Sequence, residues 1–152
     1  VDENALVHRL IDLFQYKDGF QQQSSGIAPQ DMYVLERIHF QGKIQSRDLS
    51  RTYGIPPSTL TGILDRLEKK QYIRRERKSD DRRAVGLAVT EKGKAALWRH
   101  IEEDRLFAAN LFSGLDAGKR EVFLELLNEL LDAVEKDRLF DRDARTDERG
   151  EE

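Results

Sequence analysis

The chain has no cysteine, which excludes disulfide frameworks, thiolate metal sites and thiol-based redox switching. No apolar run approaches the roughly 18 residues a membrane span requires, and the opening residues do not follow the basic-then-apolar order of a signal peptide. A soluble, cytoplasmic protein without a membrane partner is expected. Glycine-rich phosphate loops, nucleophile motifs and clustered metal ligands are missing as well, so no catalytic residue, cofactor or enzymatic activity is assigned. His8, His39 and His100 are scattered and are read as surface or hydrogen-bonded histidines, not as metal ligands.

An overall basic charge is missing too: the net charge is -3. That total conceals a strong polarity. Between Arg66 and Arg83 stand nine basic residues (Arg66, Lys69, Lys70, Arg74, Arg75, Arg77, Lys78, Arg82, Arg83) and four acidic ones (Glu68, Glu76, Asp80, Asp81), a local +5 against -8 elsewhere. Exposed charges are screened beyond about 8 Å at physiological salt, so a partner meets the cluster and not the sum.

What is present is helical periodicity in a chain of 152 residues, enough for one domain with a real core. Apolar residues from Asn4 to Tyr16 cover a broad helical face, and Gln21–Gly26 reads as a polar turn. Pro29 opens a second helix with Met32, Leu35, Ile38 and Phe40 as its buried stripe, ending near Gly42. A short helix over Gln45–Tyr53 closes at Gly54, and a fourth begins after Ile55 at Pro56 and Pro57. In that fourth helix Leu60, Ile63, Leu64 and Leu67 fall at i, i+3, i+4 and i+7, leaving Ser58, Thr61, Gly62, Asp65 and Arg66 on the remaining surface. Two short helices joined by a glycine turn, the second opening with small hydroxyl residues, form a helix-turn-helix pattern.

Tyr72–Arg77 and Val85–Val89 are read as two strands of a ribbon, with Lys78–Arg82 as the loop between them. Thr90 is placed to cap a long helix over Glu91–Phe112. Gly114 breaks it, and Asp116 caps a last helix. Val122, Phe123, Leu126, Leu127, Leu130, Leu131 and Val134 give that helix an apolar face wider than one neighbour needs, which points to a second chain. The polar stretch after Phe140 contains no core-sized side chain and is expected to be a disordered tail over residues 141–152.

The segment LDRLEKKQYIRRERKSDDRRAVGLAVTEKGKAAL, Leu64 to Leu97, resembles the MarR family of winged helix-turn-helix regulators: a leucine-rich helix ending in basic residues, an Asp-Arg-Arg triplet, an alternating strand and a Thr-Glu-x-Gly start to the next helix. The resemblance implies a mainly α fold with a small β-wing. Residues 28–90 would be the DNA-binding domain, and 1–20 with 91–140 the helical dimerisation region. It further implies a homodimeric regulator of double-stranded DNA, a ligand-responsive repressor acting at a pseudo-palindromic site. Carried over by position, Pro57, Ser58, Thr59, Thr61, Gly62 and Arg66 would lie on the recognition helix against DNA, and Arg74, Arg75, Arg77, Lys78, Arg82 and Arg83 on the wing. Arg83 would enter the minor groove, oriented by Asp81 through a contact to Arg66. Phe14, Tyr16, Phe20, Tyr33 and Phe40 would border a pocket for a small aromatic effector. Gln71 stands where many relatives have glycine, so it must adopt a positive φ or end the helix in another way. The alternative from another functional class is a helical protein-interaction adaptor of the same fold without DNA binding.

Overall fold

The structure, a computed structural model, describes residues 1–42, 44–77 and 85–141. Its elements follow in the order α1 (Glu3–Ser25), α2 (Pro29–Gln41), α3 (Ser46–Tyr53), α4 (Pro57–Lys69), β1 (Ile73–Arg77), β2 (Val85–Val89), α5 (Glu91–Phe112) and α6 (Ala117–Ala133), with a 3-10 turn at Lys136–Arg138. The fold is mainly α with a small antiparallel ribbon, as the sequence predicts. The chain divides into two compact units, Val1–Ala108 and Ala109–Glu152. Among the described residues, no helix is long and apolar enough to cross a membrane.

The first helix is longer than its apolar spacing suggests. Gln21–Ser25, expected as a turn, is helical, and Gly26 closes it with φ 71°. The physical reason lies in partners that periodicity cannot reveal. Gln21 is buried, and its amide donates to the His100 carbonyl at 3.3 Å and to Asp104 Oδ1 at 2.9 Å. Polar residues here serve a polar junction with α5, so the helix continues without an apolar stripe.

The core is built from α2, α3, α4, the ribbon and the start of α5, with Val34, Leu35, Ile38, Leu49, Ile63, Leu67, Ile73 and Leu97 almost fully enclosed. Phe40 does not join the stripe of Met32, Leu35 and Ile38: it is 60% exposed, with its ring edge-on to His39 at 5.1 Å. Two positions past Ile38 is about 200° around a helix, which turns Phe40 away from the core. Between α3 and α4, Gly54 has φ 64° and its N–H donates to the Ser50 carbonyl. That carbonyl also accepts from Ile55 at 3.1 Å, and the Ser50 hydroxyl donates to the Ile55 carbonyl.

At the other end of α4, Gln71 takes the positive φ, at 64°. The Gln71 N–H donates to the Glu68 carbonyl and the Tyr72 N–H to the Leu67 carbonyl, both at 2.9 Å. This is the paired bonding of a Schellman end with glutamine in the usual glycine position. The chain turns directly into β1, which pairs with β2 in the register Ile73↔Val89, Arg75↔Leu87 and Arg77↔Val85. On its other edge β2 meets a bridge between Gln45 and Gly86.

Thr90 joins ribbon to helix as expected: its hydroxyl accepts from the Gly93 N–H at 3.0 Å and donates to the Gln71 carbonyl at 2.6 Å. Gly93 is dictated by space. A β-carbon there would lie 2.1 Å from the Tyr72 carbonyl oxygen and 2.7 Å from Val89 Cγ1. In the second unit, Asp116 caps α6 by accepting from the Lys119 N–H at 3.0 Å. No residue of α6 is buried.

Two substitutions should move stability in opposite directions. Gly93→Ala forces backbone apart where the wing meets α5 and should destabilise the fold by about 1–3 kcal/mol. Gln71→Gly relieves the left-handed backbone and should stabilise it by about 1 kcal/mol. Urea unfolding midpoints at fixed pH measure both, and a neutral Gly93→Ala would contradict the packing described.

Candidate nucleic-acid interface

The apolar stripe of α4, Leu60, Ile63, Leu64 and Leu67, is buried, which fixes the helix's rotation and turns the opposite face outward. Pro57, Ser58, Thr59 and Thr61 are exposed and Gly62 is partly so. The Thr61 hydroxyl donates to the Pro57 carbonyl at 2.9 Å. The N-cap residue, Pro56, supplies no side-chain acceptor to the first turn, so the cap position itself does not offset the positive end of the helix dipole. The result is a narrow helix surface of small polar groups, suited to close approach by a groove.

Among the described residues, three of the cations assigned from sequence, Arg66, Arg74 and Arg75, are engaged within the protein. Arg66 Nε and Nη2 donate to the two oxygens of Asp31, at 2.9 and 2.7 Å. That carboxylate raises the arginine's pKa further, through the hydrogen bonds first and charge second. Arg75 is turned toward α4, with Nη2 at 2.6 Å from Asp65 and Nη1 at 3.8 Å from Glu68. Arg74 pairs with Glu76 at 3.0 Å on the outer face of the ribbon. Arg77 closes β1. Lys78, Asp81, Arg82 and Arg83 lie outside the described residues, and with them the expected Asp81–Arg66 contact.

Two arginines not assigned from sequence complete the surface. Arg47 and Arg51 stand one turn apart on α3, with side chains 80% and 79% exposed and the Asp48 carboxylate between them, 4.0 Å from Arg47 Nε and 3.1 Å from Arg51 Nη2. They border a groove of about 500 Å³ that also takes in Ser46, Ser50, Pro57, Thr61 and Arg75. Their i, i+4 spacing on the first helix of the helix-turn-helix was the available signal, outweighed by the denser charge of the ribbon.

A second concavity, of about 380 Å³, lies where α1, α2 and α5 meet. Lys17 pairs with Asp104 at 2.6 Å, His100 Nε2 is 3.4 Å from the same carboxylate, and Ser24 donates to Glu103 at 2.6 Å. Of the aromatic residues expected at an effector pocket, Tyr33 lines this crevice. Its ring also faces the Arg37 guanidinium at 4.8 Å. Phe14, Tyr16 and Phe20 are exposed on α1, Phe14 with its ring 6.2 Å from that of Phe107.

A glycine-turned helix pair whose second helix keeps a bare polar face, followed directly by an antiparallel ribbon, defines a winged helix-turn-helix protein. Residues 27–85 match the MarR family. The chain is 26% identical over 137 residues to the uncharacterized HTH-type transcriptional regulator YwhA of Bacillus subtilis, covering 86% of this chain and 99% of that protein. It is 28% identical over 108 residues to the HTH-type transcriptional repressor MdtR of the same organism, covering 61% and 70%. The solved transcriptional regulator Tm0710 from Thermotoga maritima superposes with a TM-score of 0.62 at 28% identity, covering 86% and 94% of the two chains. Residues 27–85 thus form a MarR-family domain, and the relatives that the chain resembles are named as transcriptional regulators.

The junction of α1 with α5 should be acid-sensitive. Burial pushes the Asp104 carboxyl up, but hydrogen bonds from Lys17 and Gln21 and the attraction of His100 and Lys17 together outweigh it, holding the group below its ordinary value of 3.8. Its stabilising contribution is therefore complete above 3.8 and is lost as pH falls through the depressed folded value. Asp104→Asn should flatten the acid limb of the thermal-stability curve; an unchanged acid limb would show that this carboxylate does not carry it.

Proposed function

We propose that the protein is a homodimeric, sequence-specific regulator of double-stranded DNA, acting as a repressor in the cytoplasm. The observation that carries this reading is the exposed small-polar face of α4 beside a ribbon of strongly basic sequence, in a chain with a domain of this family. Each subunit would use residues 28–90 to bind DNA, placing Pro57, Ser58, Thr59, Thr61 and Gly62 in the major groove and Arg83, oriented by Asp81, in the adjacent minor groove. Arg47, Arg51, Arg77, Lys78 and Arg82 would contact phosphates, which supply affinity and salt dependence more than sequence choice. The repressor named MdtR among its relatives supports the sign of regulation.

Dimerisation would use residues 1–20 and 91–140. It is supported by apolar side chains that no core claims: Leu6, Val7, Leu10 and Ile11 on α1, and separately Val122, Phe123, Leu126, Leu130 and Leu131 on α6, all more than 40% exposed. Contiguous apolar surface of this kind marks an association face. A two-fold dimer reads half-sites about one helical turn apart, hence a pseudo-palindromic operator. The crevice holding Tyr33 is the candidate place for a small aromatic effector. Such a ligand regulates only by binding one arrangement of the two recognition helices better than the other.

Selection of bound sequences from a random duplex library tests DNA binding, half-site spacing and dimer symmetry together. The selected duplex should bind with a steep salt dependence in fluorescence anisotropy, and Arg83→Ala should weaken it at least about tenfold while the dimer persists in sedimentation. Leu126→Asp with Leu130→Asp should yield monomers. A protein that enriches no sequence and shows no salt-sensitive binding would be an adaptor of this fold instead.

A further inference from the structure

We propose that Asp31 is a positioning residue for DNA recognition: by holding Arg66 in a two-bond pair it sets how α4 presents Pro57 to Gly62, and it withdraws Arg66 from the residues that contact DNA. The proposal rests on the DNA-binding reading above. Asp31 lies in the first turn of α2 with 3% of its surface exposed, where an ionised carboxylate needs a compensating partner. Arg66, 35 residues away, supplies both hydrogen bonds. A planar fork meeting two carboxylate oxygens fixes direction as well as distance, which a single contact cannot do.

The surroundings support a restraint more than a reader. One turn beyond Arg66, Lys70 Nζ donates to the Gly26 carbonyl at 3.0 Å, so the C-terminal half of α4 is tied twice to the region where α1 gives way to α2. A β-carbon placed on Gly62 would stand 3.5 Å from Arg66 Nη1. The guanidinium therefore lies back along α4 beside Gly62, and a side chain much larger than a methyl group there would press on it. For Arg66 to reach a base, Asp31 would be left charged and enclosed without its partner, a state the protein avoids at substantial cost.

The test uses the full-length protein, its library-selected duplex and a scrambled duplex of equal length. Asp31→Asn, Arg66→Gln and the double variant are compared by anisotropy at one salt concentration. Each single variant should lose about tenfold or more on the selected duplex, the double should be no weaker than the poorer single, and binding to scrambled duplex should be unchanged. Arg66→Lys keeps a positive charge opposite Asp31 without the fork, and carries the test should Asp31→Asn not fold: selective loss on the chosen duplex supports the proposal. Wild-type binding by Asp31→Asn or Arg66→Lys, or additive losses in the double variant, would overturn it and return Arg66 to the DNA contacts. A wild-type protein that does not distinguish the two duplexes would instead overturn the DNA-binding reading, and this proposal with it.

Discussion

The buried stripe of α4 is the constraint from which the other features follow. Leu60, Ile63, Leu64 and Leu67 enter a core shared with Leu35, Leu49 and Ile73, and their 3.6-residue period allows a single rotation of the helix. Burial on one side and bareness on the other are thus one decision. Rotation alone does not fix the helix along its axis or set its tilt. Those depend on its ends: Ser50 and Gly54 hold the turn before it, while Gln71, Arg66 and Lys70 hold its exit. Polar groups supply this anchoring because hydrogen bonds are directional and apolar contacts are not.

The same reasoning changes the meaning of the charge cluster. A count of +5 between Arg66 and Arg83 suggests a uniform electrostatic grip, yet Arg66, Arg74 and Arg75 each meet a carboxylate. These pairs differ in kind. Arg74–Glu76 is exposed on both sides and contributes little to stability, whereas Arg66–Asp31 joins a half-exposed cation to an enclosed anion and so dictates geometry. Acidic residues within and around a basic segment are therefore part of how its cations are aimed, and charge density alone cannot sort the aimed from the available.

Local rules were legible and long-range polar partners were not. The stripe of α4, the Thr90 and Asp116 caps and the Gly54 turn all depend on neighbours within a few residues, and each stands where its spacing indicated. Gln71 was legible as a choice between two geometries, because one residue type sat where another is usual. Gln21 was misread, since a glutamine buried against a helix 79 residues away looks from sequence like any turn residue. Asp31 was invisible for the same reason: nothing near it in sequence reveals that its partner sits 35 positions downstream. Phe40 failed differently, through counting an aromatic residue into a stripe whose phase it does not share.

The distribution of apolar residues separates two tasks. The enclosed core draws on residues between Ile27 and Leu97, with none from the apolar face of α1 and none from α6. The helix-turn-helix shares this core with Leu97 at the start of α5, so the internal geometry of the exposed α4 face is set within one chain. In the proposed dimer, the distance between two such surfaces would be set by whatever covers α1 and, separately, α6. If the protein acts as proposed, changes in the first group of residues would act on folding and on base recognition, and changes in the second on spacing and symmetry. On the proposed function, an operator's half-site sequence and its half-site separation would be read by two different sets of side chains.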